Sequence, residues 1–387
     1  MQIRFTPEQE AWRQEVRSFL DRELPPAQAF DTEFDEDEER WAFALEFTRK
    51  LGAKGWIGLG WPREYGGLER PAAERFILAE ELTYREAPLV NSIGHGLAAG
   101  TLLLGGTEQQ KRRFLPPIAR METFWVEGLS EPGAGSDLAA LTTSARRDGS
   151  DWIVRGQKTY TTWGQRGDVM YLAARSDPSS RRHEGLSIFC LDMKAKGVTL
   201  SPLDNLGGGR QNHTYLDDVR LPAEMLLGEE GQGWRYIMNA FYGGGGHAAH
   251  MYYQRMLDTL VAWCREHRRG GRRVIDDPIV RQELGALAVM VESVRMLMYE
   301  SVSNAERQRA PAFAGALGTV VMKELRPRFS ETLHRIVGPL AQLRPSRFAP
   351  FEGLAEAWYR HSYANHAGGT PQVKRMVLAT RGLGLPR

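Results

Sequence analysis

Apolar residues recur at helical spacing near the start of the chain, at Phe5, Trp12, Val16 and Phe19, and Thr6, Pro7 and Gln9 stand just ahead of them. A hydroxyl cap, a proline at the first helical position and a glutamine at the third make a capping box, so the pattern predicts an amphipathic helix. Trp41, Leu45, Thr48 and Leu51 predict a second helix that stops near Gly52 and Gly55. Helical periodicity resumes over residues 72–84, 92–104 and 108–119. The acidic run at 31–39 reads as a solvated helix entrance, favoured by the helix dipole.

Between about residues 122 and 228 the texture changes. Apolar runs shorten to strand length at 152–154, 169–173, 186–191, 198–200 and 213–216, and turn signals such as Asp148-Gly149-Ser150 separate them. The polar segment at 178–184 is expected to be mobile. Long helical patterns then return at 234–241, 248–267, 278–304, 313–337 and 353–366. Helices, then strands, then helices predict an α+β chain: an N-terminal helical domain over residues 1–121, a middle antiparallel β domain over 122–228 and a C-terminal helix bundle over 229–387. Leu284, Leu287, Val291 and Val294 form an apolar stripe of the kind that a bundle presents to another subunit.

Composition narrows the class without naming a chemistry. With 387 residues, 42% of them hydrophobic and 25% charged, the chain reads as an ordinary globular protein of two or three domains. A formal charge of +2 calls for neither nucleic acid nor a membrane surface. The two cysteines, Cys190 and Cys264, are far apart, which predicts a reduced compartment without disulfide or structural zinc. The first residues carry charge and no apolar core of a signal peptide, and no run of 18 apolar residues follows, so a cytoplasmic location is expected.

The candidate chemistry concentrates between Glu127 and Trp163. Ser130-Glu131-Pro132-Gly133-Ala134-Gly135-Ser136-Asp137 combines one fixed φ, two permissive glycines and two capping side chains, which makes a loop built to hold something. Gly156-Gln157-Lys158-Thr159-Tyr160-Thr161-Thr162-Trp163-Gly164 adds hydroxyls and flat rings, which suit a planar cofactor better than a bare phosphate. In that order and spacing the two segments closely resemble the flavin-binding middle domain of the acyl-CoA dehydrogenase family. The resemblance extends over nearly the whole chain. It includes Trp61-Pro62-Arg63-Glu64-Tyr65-Gly66-Gly67, Gly106-Thr107-Glu108-Gln109-Gln110-Lys111, Asp217 to Pro222 followed by Gly228 to Trp234, Gly368 to Arg375, and the final Leu383-Gly384-Leu385-Pro386-Arg387.

The resemblance implies FAD as cofactor and an acyl-CoA thioester as substrate, with the protein supplying orientation and electrostatics. By position, Leu129 and Ser130 would meet the pyrimidine edge of the flavin, and Thr162 its reactive nitrogen. Tyr160 stands where the family usually packs a Trp against the ring. Gly135 and Ser136 lie where the cofactor and the pantetheine arm of the substrate are held, and Thr370 and Gln372 match polar positions used for the dinucleotide. The family also implies an oligomer, a dimer or tetramer, homomeric or heteromeric.

Departures from the family pattern are as informative. Dehydrogenation removes an α-proton, for which a carboxylate is needed near the α-carbon. The positions where the family carries that Glu are here Gly368 and, in the alternative arrangement, Gly244. Gly243-Gly244-Gly245-Gly246 falls in what should be a helix, and at about 1 kcal/mol per glycine it disfavours that helix by roughly 3 to 4 kcal/mol. The expected result is a break or close approach that clears side chains from the pocket floor around Gly244. Glu127 and His366 are weak surrogates for the base, and a loop salt bridge is the plainer role for Glu127. Tyr242, His247 and His250 also flank the vacant positions; satisfied structural or surface histidine is the better reading than a metal site. An RxxFG segment of the family is missing, and Arg265, Arg268, Arg269, Arg272 and Arg273 stand near its place as either a solvated turn or a pyrophosphate contact. Three readings follow. The chain is the base-lacking partner of a Glu-bearing paralogue in a heteromeric dehydrogenase for a bulky acyl group; or a homomeric FAD enzyme with other chemistry, such as desulfination, monooxygenation or a displaced base; or a redox-silent binding protein.

Overall fold

The computed structural model describes residues 4–25, 37–205, 211–243, 248–307, 313–363 and 368–386. Helices at the N-terminal side are α1 (Pro7–Glu23), α2 (Glu38–Ala53), α3 (Ala72–Tyr84), α4 (Ala99–Gly105) and α5 (Glu108–Ala119). The strands are β1 (Trp125–Gly128), β2 (Ser144–Asp148), β3 (Asp151–Lys158), β4 (Val169–Arg175), β5 (Leu186–Asp192), β6 (Val198–Leu203), β7 (Gln211–Leu221) and β8 (Leu226–Leu227). After them come α6 (Gly233–Gly243), α7 (Ala249–Glu266), α8 (Pro278–Glu306), α9 (Ala314–Val337), α10 (Leu354–Tyr363) and α11 (Pro371–Val377). The helix–strand–helix order expected from the pattern is therefore present.

The chain forms two compact units, each assembled from separated stretches. One comprises Met1–Ala29, Pro71–Ala87 and Gly245–Arg387, the other Phe30–Arg70 and Pro88–Gly244. The first unit is helical. Its α1 starts at the expected capping box, with Thr6 Oγ1 accepting from Gln9 N at 3.3 Å and Gln9 Oε1 accepting from Thr6 N at 2.9 Å. Leu284, Leu287, Val291 and Val294 of α8 are buried against Leu325, Phe329 and Leu333 of α9 and Tyr253, Leu257 and Leu260 of α7. That corrects the expectation of an outward stripe: the spacing marks the internal seam of the bundle, and no subunit contact can be argued from it.

The second unit is built on an eight-stranded sheet in the order β6-β7-β3-β2-β4-β5-β8, with β1 beside β4. Antiparallel pairings dominate, as expected, but β1 runs parallel to β4, with Trp125 opposite Val169 and Glu127 opposite Tyr171. Both faces of β4 are covered. Met170, Leu172 and Ala174 enter one core with Trp152, Val154 and Phe189, while Tyr171 and Ala173 enter another with Leu97, Leu102, Leu115, Leu129 and Ile237. A strand buried on both sides reads as a continuous apolar run, which is why 169–173 was conspicuous. The polar segment at 178–184, expected to be mobile, is tied to β4: Arg175 donates to the carbonyls of Arg182 at 2.9 Å and Glu184 at 3.3 Å. Asp37 caps α2 by accepting from Arg40 N at 2.9 Å, so the described end of the acidic run is the helix entrance that was expected. Cys190 and Cys264 are buried free thiols, and burial pushes that of Cys190 up to about 12. Among the described residues no helix is long and apolar enough to cross a membrane.

Candidate functional site

β1 leads directly into the glycine-bearing loop. Leu129 is buried, and the chain then doubles back so that Glu131 and Ala134 exchange backbone hydrogen bonds of 3.0 and 3.1 Å. This tight turn aims the Glu131 carboxylate inward. It accepts from Thr142 N at 2.7 Å, Thr142 Oγ1 at 2.8 Å, Thr143 N at 2.9 Å and Lys158 Nζ at 2.8 Å. Burial works against ionisation there, but the Lys158 charge and these donors hold the Glu131 carboxyl down at about 2. Lys158, at the end of β3 and wholly buried, also donates to the Leu129 carbonyl at 3.1 Å, and Thr159 N donates to the Ser130 carbonyl at 2.9 Å. The two segments singled out by the sequence are therefore fastened to each other. Only the opposite charges of Glu131 and Lys158 and their places inside the two motifs signal this pairing in the sequence.

Beyond Lys158 the backbone is unusual. Tyr160 and Trp163 both have positive φ, 62° and 58°, in the left-handed region that bulky residues avoid. Thr161 between them is the anchor: its N–H donates to the Asn212 carbonyl at 3.0 Å, its carbonyl accepts from Asn212 Nδ2 at 3.1 Å, and its hydroxyl bonds Thr214 Oγ1 at 3.0 Å. Trp163 is thereby buried, 4.7 Å from Trp41, with the Arg166 guanidinium 4.3 Å above Trp41 and 5.2 Å from Trp163. Tyr160 is turned the other way and is 51% exposed. Thr162 Oγ1 accepts from Gln211 Nε2 at 3.4 Å. In the facing loop, Gly135 and Ser136 are exposed, and a Cβ built on Gly133 or Gly135 would meet nothing within 4 Å.

Glu127 sits in β1, a strand and not the loop expected for it, half-buried and opposite Tyr171. Burial, with Glu127 nearby, pushes the Tyr171 hydroxyl far above the usual tyrosine value, and that hydroxyl bonds Thr101 Oγ1 at 2.8 Å. His95 carries no motif that marks it in the sequence. It lies in a π-helical turn, Ile93–Ala98, that packs on β1 and α6; the residue retains some exposed surface, yet both ring nitrogens are shut off from solvent and have no hydrogen-bond partner among the described residues. Burial pulls its pKa down to about 3, so it is a neutral imidazole. Turns of this kind are frequent at functional sites, and the small residues Gly94 and Gly96 around it are the one sequence signal.

The remaining predicted residues belong to the helical unit. Gly368 is exposed with φ 68°, and a Cβ there would meet nothing within 4 Å. Thr370 caps α11 by accepting from Val373 N at 3.2 Å, while Gln372 is exposed. Gly244, Gly245, Gly246, His247 and His366 lie outside the described residues. His250 is engaged by Glu80, Nε2 to Oε1 at 2.9 Å, in keeping with a structural histidine. The arginine cluster is a small two-stranded ribbon, in which Arg268 donates to the Gly271 carbonyl at 2.8 Å, Arg269 to the Ile336 carbonyl, and Arg273 pairs with Asp276 at 2.9 Å. Three of its members are thus engaged within the chain, Arg269 with a carbonyl 67 positions on.

Comparison with known proteins places this geometry. The chain matches the acyl-CoA dehydrogenase N-terminal domain over residues 6–122, the middle domain over 127–219 and the C-terminal domain over 231–383. It is 32% identical to acyl-CoA dehydrogenase FadE26 of Mycobacterium tuberculosis over 100% of this chain and 99% of that protein. Among solved structures it is similar to a chain of the ChsE4-ChsE5 complex from Mycobacterium tuberculosis, with a TM-score of 0.87, 32% identity and full coverage of both chains. A chain of the Tcur3481-Tcur3483 steroid ACAD gives a TM-score of 0.90 at 31% identity, again over the whole of both chains. With three family models in succession and relatives of this identity along its whole length, the chain belongs to the acyl-CoA dehydrogenase family.

Proposed function

We propose that the chain is the base-lacking subunit of a heteromeric, FAD-dependent acyl-CoA dehydrogenase acting on a bulky acyl thioester. One observation carries the reading: the position at which the family's base is expected holds Gly368, whose left-handed backbone offers no carboxylate. The likeness to chains of two assemblies, ChsE4-ChsE5 and the Tcur3481-Tcur3483 steroid ACAD, supports both the partner and the size of the acyl group.

The residues present fit a flavin. A flat ring with a polar edge needs backbone and hydroxyl groups along one side, a partly exposed aromatic to lie against and room for the rest, and the Leu129–Ser130 edge, Tyr160 and the open space beside Gly133 and Gly135 supply these. FAD, when bound, accepts the β-hydrogen of the thioester as hydride. Leu129 and Ser130 would hold the pyrimidine edge, Tyr160 would pack on the ring, and Thr162 would serve its reactive nitrogen. Gly135 and Ser136 would receive the cofactor and the pantetheine arm, and Thr370 and Gln372 would be the polar positions for the dinucleotide; Gly244, expected beside the acyl group, lies outside the described residues. The α-proton must leave to a carboxylate held near the α-carbon, and a Glu-bearing paralogue supplies that function in the assembly.

The deciding experiment compares the purified chain, alone and co-expressed with a Glu-bearing paralogue, on a panel of acyl-CoA thioesters with an artificial electron acceptor. The expected result is no turnover alone and turnover of bulky thioesters together. Robust turnover by the chain alone overturns the reading, and its loss on Glu127→Gln would then assign the proton transfer to β1.

A further inference from the structure

The Glu131–Lys158 pair does more than fasten two segments. A buried ion pair is a poor way to gain stability, because removing both charges from water offsets most of their attraction, and apolar residues of the same size pack as well. Lys158 has a second contact that a packing role does not require, the 3.1 Å bond from its ammonium to the Leu129 carbonyl. That carbonyl and the Ser130 N–H are the two ends of one peptide dipole. A cation on the oxygen end draws electrons toward it and makes the N–H at the other end a stronger donor.

The Ser130 N–H has no acceptor among the described residues, although the carbonyls on either side of it are both engaged, Leu129 O by Lys158 and Ser130 O by Thr159 N. The segment is therefore pinned by its acceptors and presents one strengthened donor. Glu131 cancels the net charge of Lys158, so the pair acts through this peptide and not as a free cation.

We propose that Lys158 is a positioning residue that raises the reduction potential of the bound flavin, by polarising the Leu129–Ser130 peptide so that its N–H stabilises the negative charge that reduction places on the pyrimidine ring. This rests on the flavin reading above. A donor set in place before the charge develops favours the reduced form, as donors around an oxyanion do.

The test uses the full-length holoprotein as it purifies with FAD. Lys158→Met combined with Glu131→Gln removes both charges together, so that neither is left alone in the interior. The expected result is stoichiometric FAD with a midpoint potential moved in the negative direction, by an amount equivalent to about tenfold in the ratio of reduced to oxidised flavin, roughly 30 mV for a two-electron couple. Bound FAD with an unshifted potential overturns the proposal and leaves the pair a staple. A wild-type chain that takes up no FAD overturns the flavin reading, and this inference with it. A second measurement needs no substitution: labelling leucine carbonyls with carbon-13 and serine nitrogens with nitrogen-15 selects the three Leu-Ser amides of the chain, at Ser130, Ser187 and Ser201. On reduction with dithionite the Ser130 amide proton should move while the other two stay; an unmoved Ser130 resonance overturns the proposal even if the double variant fails to fold.

Discussion

Each unit buries an ionic cluster, and these two are built differently. In the sheet unit, Lys158 and Glu131 engage backbone: two N–H groups, a carbonyl and one hydroxyl surround them. In the helical unit, side chains meet side chains across three helices. Arg13 of α1 donates to Glu81 at 2.6 Å and Glu80 at 2.7 Å of α3, Arg17 reinforces Glu81 at 2.9 Å, and His250 of α7 meets Glu80. The first arrangement fixes the path of a loop, the second the mutual placement of helices. The helical cluster has understudies, since each carboxylate keeps a second partner when Arg13 is lost; among the described residues no second cation reaches the loop staple.

That difference sets the order of the expected effects. Lys158→Met should be the most damaging, about 3–5 kcal/mol, because it strands a buried carboxylate. Arg13→Met should cost less, about 2–3 kcal/mol, with Arg17 and His250 still in place. Urea unfolding of the two variants measures both, and the reverse order would break the comparison. Acid sharpens it further. A carboxyl held at about 2 in the folded chain and near its ordinary value when unfolded adds stability that is present above about pH 4.5 and lost as the pH falls toward 2, in total about 3 kcal/mol for Glu131. Glu131→Gln should flatten most of that acid limb. A residue should persist from Glu80, where burial opposes ionisation but His250 and Arg13 hold the carboxyl below its usual value. The smallest effect has the opposite sign. His95 carries a buried polar ring with no partner in either cluster, so His95→Phe should stabilise the chain by about 1 kcal/mol at neutral pH. Because the imidazole is neutral when folded and titrates near 6.5 when unfolded, the same change should also remove a loss of stability that sets in below about pH 6.5, as thermal melts from pH 7 to 5 would record.

What was legible in the sequence followed local rules. The capping box at Thr6, the span of α3 and the two-sided apolar run of β4 each depend on residues within a few positions of one another. β1 was missed because a strand as short as Trp125–Gly128 is defined by its parallel neighbour forty-odd residues on. β2, Ser-Ala-Arg-Arg-Asp, buries only Ala145 and so shows no alternation. The turn at Ile93–Ala98 passed for plain helix, since its entry is shaped from a distance by Asn91, which bonds Thr123 O at 2.9 Å and Trp125 N at 2.8 Å. The site was legible where motifs carried it and opaque where it depended on pairing: Glu131 and Lys158 lie 27 positions apart, Arg13 and Glu80 67. A charge in an amphipathic stretch looks like solvated surface until a distant partner is known.

Gly368 bears on what a glutamate at that position would cost. Among the described residues nothing lies within 4 Å of a Cβ built there. The backbone is the obstacle, since at φ 68° any L side chain is held in the left-handed region at a cost of about 1–2 kcal/mol. A single codon change to glutamate would therefore carry that penalty from the start. On the reading proposed above, this backbone cost of Gly368→Glu would make reliance on a second polypeptide easy to enter and slow to leave.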